Sequence, residues 1–298
     1  MKKRLFLIAA LVYVLTGAGF PSAAQAAALS VQSDSAFAAG DTAVLDVYLD
    51  TQGETVNAIE GSLIFAGPAP RTLRFADLSV GGSAFTLWPR KPSLAADGST
   101  VVFVGGAPSG VSGARIKLFS VSVQSSAPGM ITVGPVRATA YRADGTGAAI
   151  PVAESRVSVV VGQKRAAPRD FLAERLSKDT TPPDTFDVVY STDPSVAEGR
   201  AFLSFAAQDS ESGIAYYTVR EKGYPDVRSG ETYVIINQDA KVKAVVTAYD
   251  RAGNARSVTY RQQGLQSWFW AVGTILAVGI VAAWILRRRT ASVRPRMQ

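Results

Sequence analysis

The oxygen-bearing side chains whose spacing could do chemistry are Asp209, Glu211, Asp250 and Asn254. The first two lie in Asp209-Ser210-Glu211-Ser212-Gly213, the others frame Asp250-Arg251-Ala252-Gly253-Asn254. Hard oxygen donors of this kind, gathered at one pole of a domain, would hold Ca²⁺. The same residues also serve turns, with Asp and Asn capping their own backbone and Gly213 and Gly253 supplying positive φ. The lack of a dense acidic loop favours that second role. The remaining candidates are apolar: Phe85 and Trp88 belong to segment 85–89, a loop by its pattern. An indole joins a large apolar area to one hydrogen-bond donor, so such a loop either caps a core, the favoured role, or anchors a ligand.

Composition narrows the chemistry further. The sequence contains no histidine and no cysteine. Ser-His-Asp catalysis, histidine metal sites, thiol nucleophiles and disulfides are therefore excluded. No glycine-rich phosphate loop or paired acidic motif compensates, and the expectation is a protein that is not an enzyme. A net charge of +7 suggests nucleic acid until the charges are located. Three of the 31 basic residues are Lys2, Lys3 and Arg4, and five are Arg287, Arg288, Arg289, Arg294 and Arg296. The region between holds 23 basic residues against all 24 acidic ones, with no concentrated basic run, so nucleic acid is not an expected partner.

Those terminal charges belong to targeting signals. Lys2-Lys3-Arg4, an apolar run from Leu5 to Thr16, and Ala24-Gln25-Ala26 have the order of a secretory signal peptide over 1–26. Near the other end, Trp268 to Leu286 carries no charge over nineteen residues. As a helix of about 28 Å it matches a bilayer core, with Trp268, Trp270 and Trp284 at headgroup depth and Arg287–Arg289 on the cytoplasmic side. The spacing predicts a transmembrane helix over 266–286 and a cytoplasmic tail over 287–298. The expected location is the cell membrane, single-pass, with the N-terminus outside after cleavage.

The exported residues must then position any site, and their periodicity is that of strands. In 43–50, Ala43, Leu45, Val47 and Leu49 share one face; in 57–65, Ile59, Leu63 and Phe65 oppose Glu60 and Ser62. Further strand runs are 101–104, 116–123, 130–133, 136–141 and 156–161. They are punctuated by Gly40-Asp41, Asp97-Gly98, Pro108-Ser109-Gly110, Pro128-Gly129 and Asp144-Gly145. Short strands without helical periods between them indicate a β-sandwich over 27–163. Residues 164–180 read as a polar, proline-bearing linker, where proteolysis is expected between Arg165 and Lys178. A second, smaller sandwich is expected over 181–260, from strand runs at 186–190, 201–207, 214–220, 232–236 and 242–249.

Ordered pieces of the first region resemble a cohesin domain. They are Gly40-Asp41 with Val44 to Leu49, Val56-Asn57-Ala58-Ile59-Glu60-Gly61-Ser62-Leu63, Gly82-Ser83-Ala84-Phe85, Gly105-Gly106, Ser112-Gly113, Leu118 to Val123, Pro128-Gly129 and Asp144-Gly145. The strand ending Val121-Ser122-Val123 departs from the family, which usually has phenylalanine there. The resemblance implies a β-sandwich that recognises a calcium-loaded dockerin domain through one sheet face, or serves as a surface adhesion module. Thr181-Pro182-Pro183, Asp209–Ile214 and Ala248–Asn254 resemble bacterial immunoglobulin-like surface repeats. The expected fold is all-β: two β-sandwich domains, cohesin-like then immunoglobulin-like, plus one C-terminal transmembrane helix. The expected function is a membrane-anchored binding or adhesion module with an extracytoplasmic, dockerin-like protein partner; polysaccharide binding and a spacer role without a ligand are the alternatives.

Overall fold

The computed structural model describes residues 26–262, except 34, 239 and 240. The expected transmembrane helix and tail, and all but the last residue of the expected signal peptide, lie outside the described residues. Among the described residues no helix is long and apolar enough to cross a membrane. The chain divides into two compact units, the first covering described residues 26–181 with Asp209–Gly213, the second 182–208 with 214–262.

The first unit contains eleven of the assigned strands: β1 (Ala28–Ser33), β2 (Phe37–Ala38), β3 (Thr42–Asp50), β4 (Val56–Ala66), β5 (Leu73–Ser79), β6 (Leu87–Leu94), β7 (Thr100–Val111), β8 (Ile116–Ser125), β9 (Gly129–Arg142), β10 (Ala149–Pro151) and β11 (Val157–Gly162). A smaller sheet runs β1-β3-β8-β5, and a larger one β2-β11-β9-β4-β7-β6 with β10 beside β9. Leu45, Val47, Leu49, Ile59, Leu63 and Phe65 are buried in its core, as their alternation requires. The Phe103 and Phe119 rings meet at 5.0 Å, and Phe65 and Phe75 meet edge to face at 5.5 Å. Such offset geometries suit the ring quadrupole and add to the area term.

Several local readings change in three dimensions. Segments 130–133 and 136–141 form one strand, β9, in which Val136 is the extra residue of a bulge between the pairs Arg137–Ser62 and Pro135–Leu63. A proline inside a paired strand is tolerated at such a bulge. Pro108-Ser109-Gly110, expected as a turn, continues β7 instead, where pairing with β4 is irregular between Val56 and Ala58. The loop expected at 85–89 becomes β6 from Leu87 onward. Its Pro89 and Pro92 are accommodated because β6 is an edge strand.

The segment read as a linker packs on the first unit. It contains the helix α1 (Phe171–Leu176), whose first turn is capped by Asp170 accepting from the Ala173 N–H at 3.0 Å. Buried Asp41 accepts N–H bonds from Ala38 and Arg169, both at 2.8 Å, and Thr42 donates to the Arg169 carbonyl at 2.9 Å. These bonds fix the chain before α1 onto the start of β3.

The second unit has a sheet β12-β13-β16, from β12 (Val188–Ser191), β13 (Phe202–Phe205) and β16 (Thr232–Val234). Its other sheet runs β15-β14-β17-β18, from β14 (Ile214–Glu221), β15 (Val227–Ser229), β17 (Lys243–Asp250) and β18 (Ala255–Arg261). Leu203, Tyr217, Val219, Ala244, Val246 and Ala248 share its core. Burial pushes the Tyr217 phenol up to about 12, although its hydroxyl accepts from the Ala207 N–H at 2.8 Å. Strands β15 and β18 carry no clear sequence signal, since Arg-Ser-Val-Thr-Tyr-Arg is mostly polar and only Val258 and Tyr260 pack on the core.

Candidate functional site

The two outward faces of the first unit differ in what covers them. On the smaller sheet, Val44 and Asp46 of β3 lie opposite Ser122 and Ser120 of β8, and all four are buried although they point away from the core. Helix α1 supplies the cover. Its Arg175 makes a bidentate pair with Asp46, with Nη1 and Nη2 each at 3.0 Å from a carboxylate oxygen. Lys117 lies at 3.5 Å and the Ser120 hydroxyl donates at 2.5 Å. Burial by itself would raise the Asp46 carboxyl, but the hydrogen bond from Arg175, with Lys117 and Ser120, outweighs it and holds Asp46 below the usual carboxylate range.

The larger sheet leaves its outward face to solvent. Pairing aligns Thr139, Glu60, Val104 and Arg90 across β9, β4, β7 and β6. The next row is Arg137, Ser62, Val102 and Ser93. Glu60, Arg90, Arg137 and Ser93 are exposed, and Val102 and Val104 half-buried. A shallow depression of about 270 Å³ lies among Glu60, Ser62, Arg90, Val102, Val104 and Arg137. Tyr141 donates its hydroxyl to Glu60 at 2.5 Å, a bond that raises the phenol and fixes the carboxylate. Among the described residues, no carboxylate pairs with Arg90 or Arg137. Gly61 permits the close approach of β4 and β9: a Cβ there would stand 2.9 Å from the Ala138 Cβ and the Arg137 carbonyl.

This arrangement suits recognition of a protein surface. An apolar strip, Val102 and Val104, runs between two guanidinium groups and a fixed carboxylate, on a rigid sheet. Comparison with solved structures finds partial likenesses at low identity. The similarity is to cohesin modules. One, from a Clostridium perfringens family 33 glycoside hydrolase, is 10% identical with a TM-score of 0.38, over 47% of this chain and 98% of that one. A non-cellulosomal cohesin from the hyperthermophilic archaeon Archaeoglobus fulgidus is 18% identical with a TM-score of 0.36, over 45% and 90%. The third ScaB cohesin of R. flavefaciens, in complex with a group 1 dockerin, is 16% identical with a TM-score of 0.34, over 48% and 100%. No protein-family model and no curated protein matches.

The candidates singled out by residue type all take part in the local structure. Phe85 is 1% exposed and belongs to the core, so it is no surface anchor. Trp88 is half-buried, spends its indole N–H on the Phe85 carbonyl at 2.9 Å, and lays its ring on Gly105, where a Cβ would come within 3.0 Å. Asp209 and Glu211 lie in one turn, and Asp250 and Asn254 in another. Asp209 accepts from the Glu211 N–H at 3.1 Å and the Gly213 N–H at 2.7 Å, while the exposed Glu211 carboxylate accepts from the Thr181 hydroxyl at 3.1 Å. Asp250 accepts from the Asn254 N–H at 2.8 Å and its side-chain amide at 2.9 Å. Each aspartate thus caps its own turn. The residues of the open face do not stand out by type or spacing. Their one signal in the sequence is the unbroken apolar run Val101 to Val104, which puts valines on both faces of β7.

Proposed function

We propose that this chain is a membrane-anchored cell-surface binding protein whose first unit presents the outward face of its larger sheet to a dockerin-type protein partner. The observation that carries this reading is the inequality of the two faces. One is closed by the chain's own helix α1 through Asp46 and Arg175, while the other keeps Val102 and Val104 with two unpaired arginines toward solvent. The second unit acts in this reading as an immunoglobulin-like pedestal, and Trp268–Leu286 as the membrane anchor. Because the open face has no His, Cys or activated nucleophile, its work is recognition.

The test is direct binding of purified, calcium-loaded dockerin modules to the full chain in mild detergent, followed by Val104→Arg and Glu60→Lys variants. A bulky charge at the centre of the face should weaken binding at least about tenfold, the loss typical of a central interface position. Circular dichroism should stay unchanged. Binding that survives both substitutions refutes the face; failure of every dockerin while a glycan binds refutes the partner class.

A further inference from the structure

The outward face of the β15-β14-β17-β18 sheet is strongly cationic. Arg220 and Arg228 lie on it by register, and Lys243 of β17 stands directly opposite Arg261 of β18. Lys222 follows β14 and donates its N–H to the Lys243 carbonyl at 2.8 Å. Asp226, bidentate with Arg220 at 2.6 Å, answers one of these five charges. Lys222, Lys243 and Arg261 are exposed, and among the described residues none of the three pairs with a carboxylate. Like charges directly opposite on antiparallel strands oppose folding. The Lys243–Arg261 pair therefore does not stabilise the sheet, and its charge is left for an external anion.

The position of this cluster along the chain says which anion. Strand β18 ends at Arg261, and the uncharged stretch begins at Trp268. The six intervening residues reach at most about 20 Å when extended. At the opposite end of the same face, Arg228 stacks on Tyr216 at 4.0 Å, and Tyr216 on Tyr249 at 4.8 Å. Amphipathic rings of this kind favour headgroup depth.

We propose that this face docks on the anionic headgroups of the bilayer surface, laying the second unit against the membrane. The proposal rests on the membrane anchoring put forward above. Electrostatic attraction of this kind decays within about 10 Å, so the short tether is what lets it act.

The full chain, reconstituted in phosphatidylcholine vesicles with or without about 30 mol % phosphatidylglycerol, tests this by amine-reactive labelling read by mass spectrometry. Exposed Lys164 of the first unit serves as the internal reference. Lys222 and Lys243 should label at least about fivefold more slowly in anionic than in neutral vesicles, the effect of one cation near such a surface. The difference should vanish at about 1 M salt and shrink in Arg261→Gln. Equal labelling in both vesicle types, with the chain floating with the lipid, overturns the docking and leaves the anchoring intact. A chain that floats with neither vesicle overturns the anchoring and the docking together. Protection by soluble polyphosphate in neutral vesicles, with none from phosphatidylglycerol, assigns the face to a polymer and also overturns the proposal.

Discussion

The two outward faces of the first unit share similar local patterns and end in opposite states. On β3 the alternation places Val44 and Asp46 outward, and on β7 it places Val102 and Val104 outward. The first pair is buried beneath α1, while the second is half-buried with nothing among the described residues packed over it. A buried carboxylate requires a partner, and Asp46 has found one 129 residues away in Arg175. The valines require only apolar cover, which a binding partner can supply. A carboxylate buried on a strand's outer side, as Asp46 is and Glu60 is not, marks a face that the chain closes for itself.

The largest expected effect comes from opening the closed face. Arg175→Ala leaves Asp46, with a side chain 7% exposed, to Lys117 and Ser120 alone. It should cost about 1–3 kcal/mol of the first unit's stability in denaturant unfolding, the penalty for stranding a buried charged acceptor. A cost near zero would mean that α1 is not what secures this face. The same variant should speed proteolysis between Arg165 and Lys178 by about five- to 150-fold, because that change in free energy sets the open population. In the unsubstituted chain the segment is held at Asp41 and Asp46, so cleavage there should be slow despite its linker-like composition.

A smaller effect follows from pH. The folded Asp46 carboxyl ionises more readily than the unfolded one, so its contribution is fully present above the unfolded value of about 3.9. It is lost as pH falls through the lower folded value. The protection of the Ser177 amide against hydrogen exchange, taken relative to the intrinsic rate at each pH, should therefore fall under acid, and Arg175→Ala should flatten that dependence; this amide donates to the Ala173 carbonyl at the end of α1. A loss of protection of equal size in the variant would place the titration elsewhere.

The smallest expected effect lies on the open face. Val104→Thr or Arg137→Ala should shift stability by no more than about 0.5 kcal/mol in chemical denaturation, because Val104 is only half-buried on the outer side of β7 and Arg137 is exposed with no carboxylate partner among the described residues. A cost of several kcal/mol at either position would show that this face is held by the fold and would remove the distinction from the closed one.

Much of the scaffold is legible in the residue pattern. Ile59, Leu63 and Phe65 fall on one side of β4 and Glu60 on the other, because a strand's side-chain period is two and the sequence displays it. The turn at Asp97-Gly98 is equally local: Asp97 accepts from the Ser99 and Thr100 N–H groups, both at 2.9 Å. The open face is not legible, since its rows join residues from four strands, and Arg90, Val104, Glu60 and Thr139 become neighbours only through pairing. Strand β18 escapes the pattern for a related reason: its polar side faces outward and only alternate residues pack on the core.

The amino-acid sequence by itself determined that this chain is built from strands, that histidine and cysteine chemistry is closed to it, and which side of each well-patterned strand points inward. Those properties reside in residue type and short-range period. Only the tertiary structure decided that 164–180 belongs to the first unit, that Phe85 and Trp88 serve its core, and which sheet face stays open. The reason is physical: alternation tells on which side a residue lies, but what covers that side depends on segments more than a hundred residues distant, as Asp46 and Arg175 are.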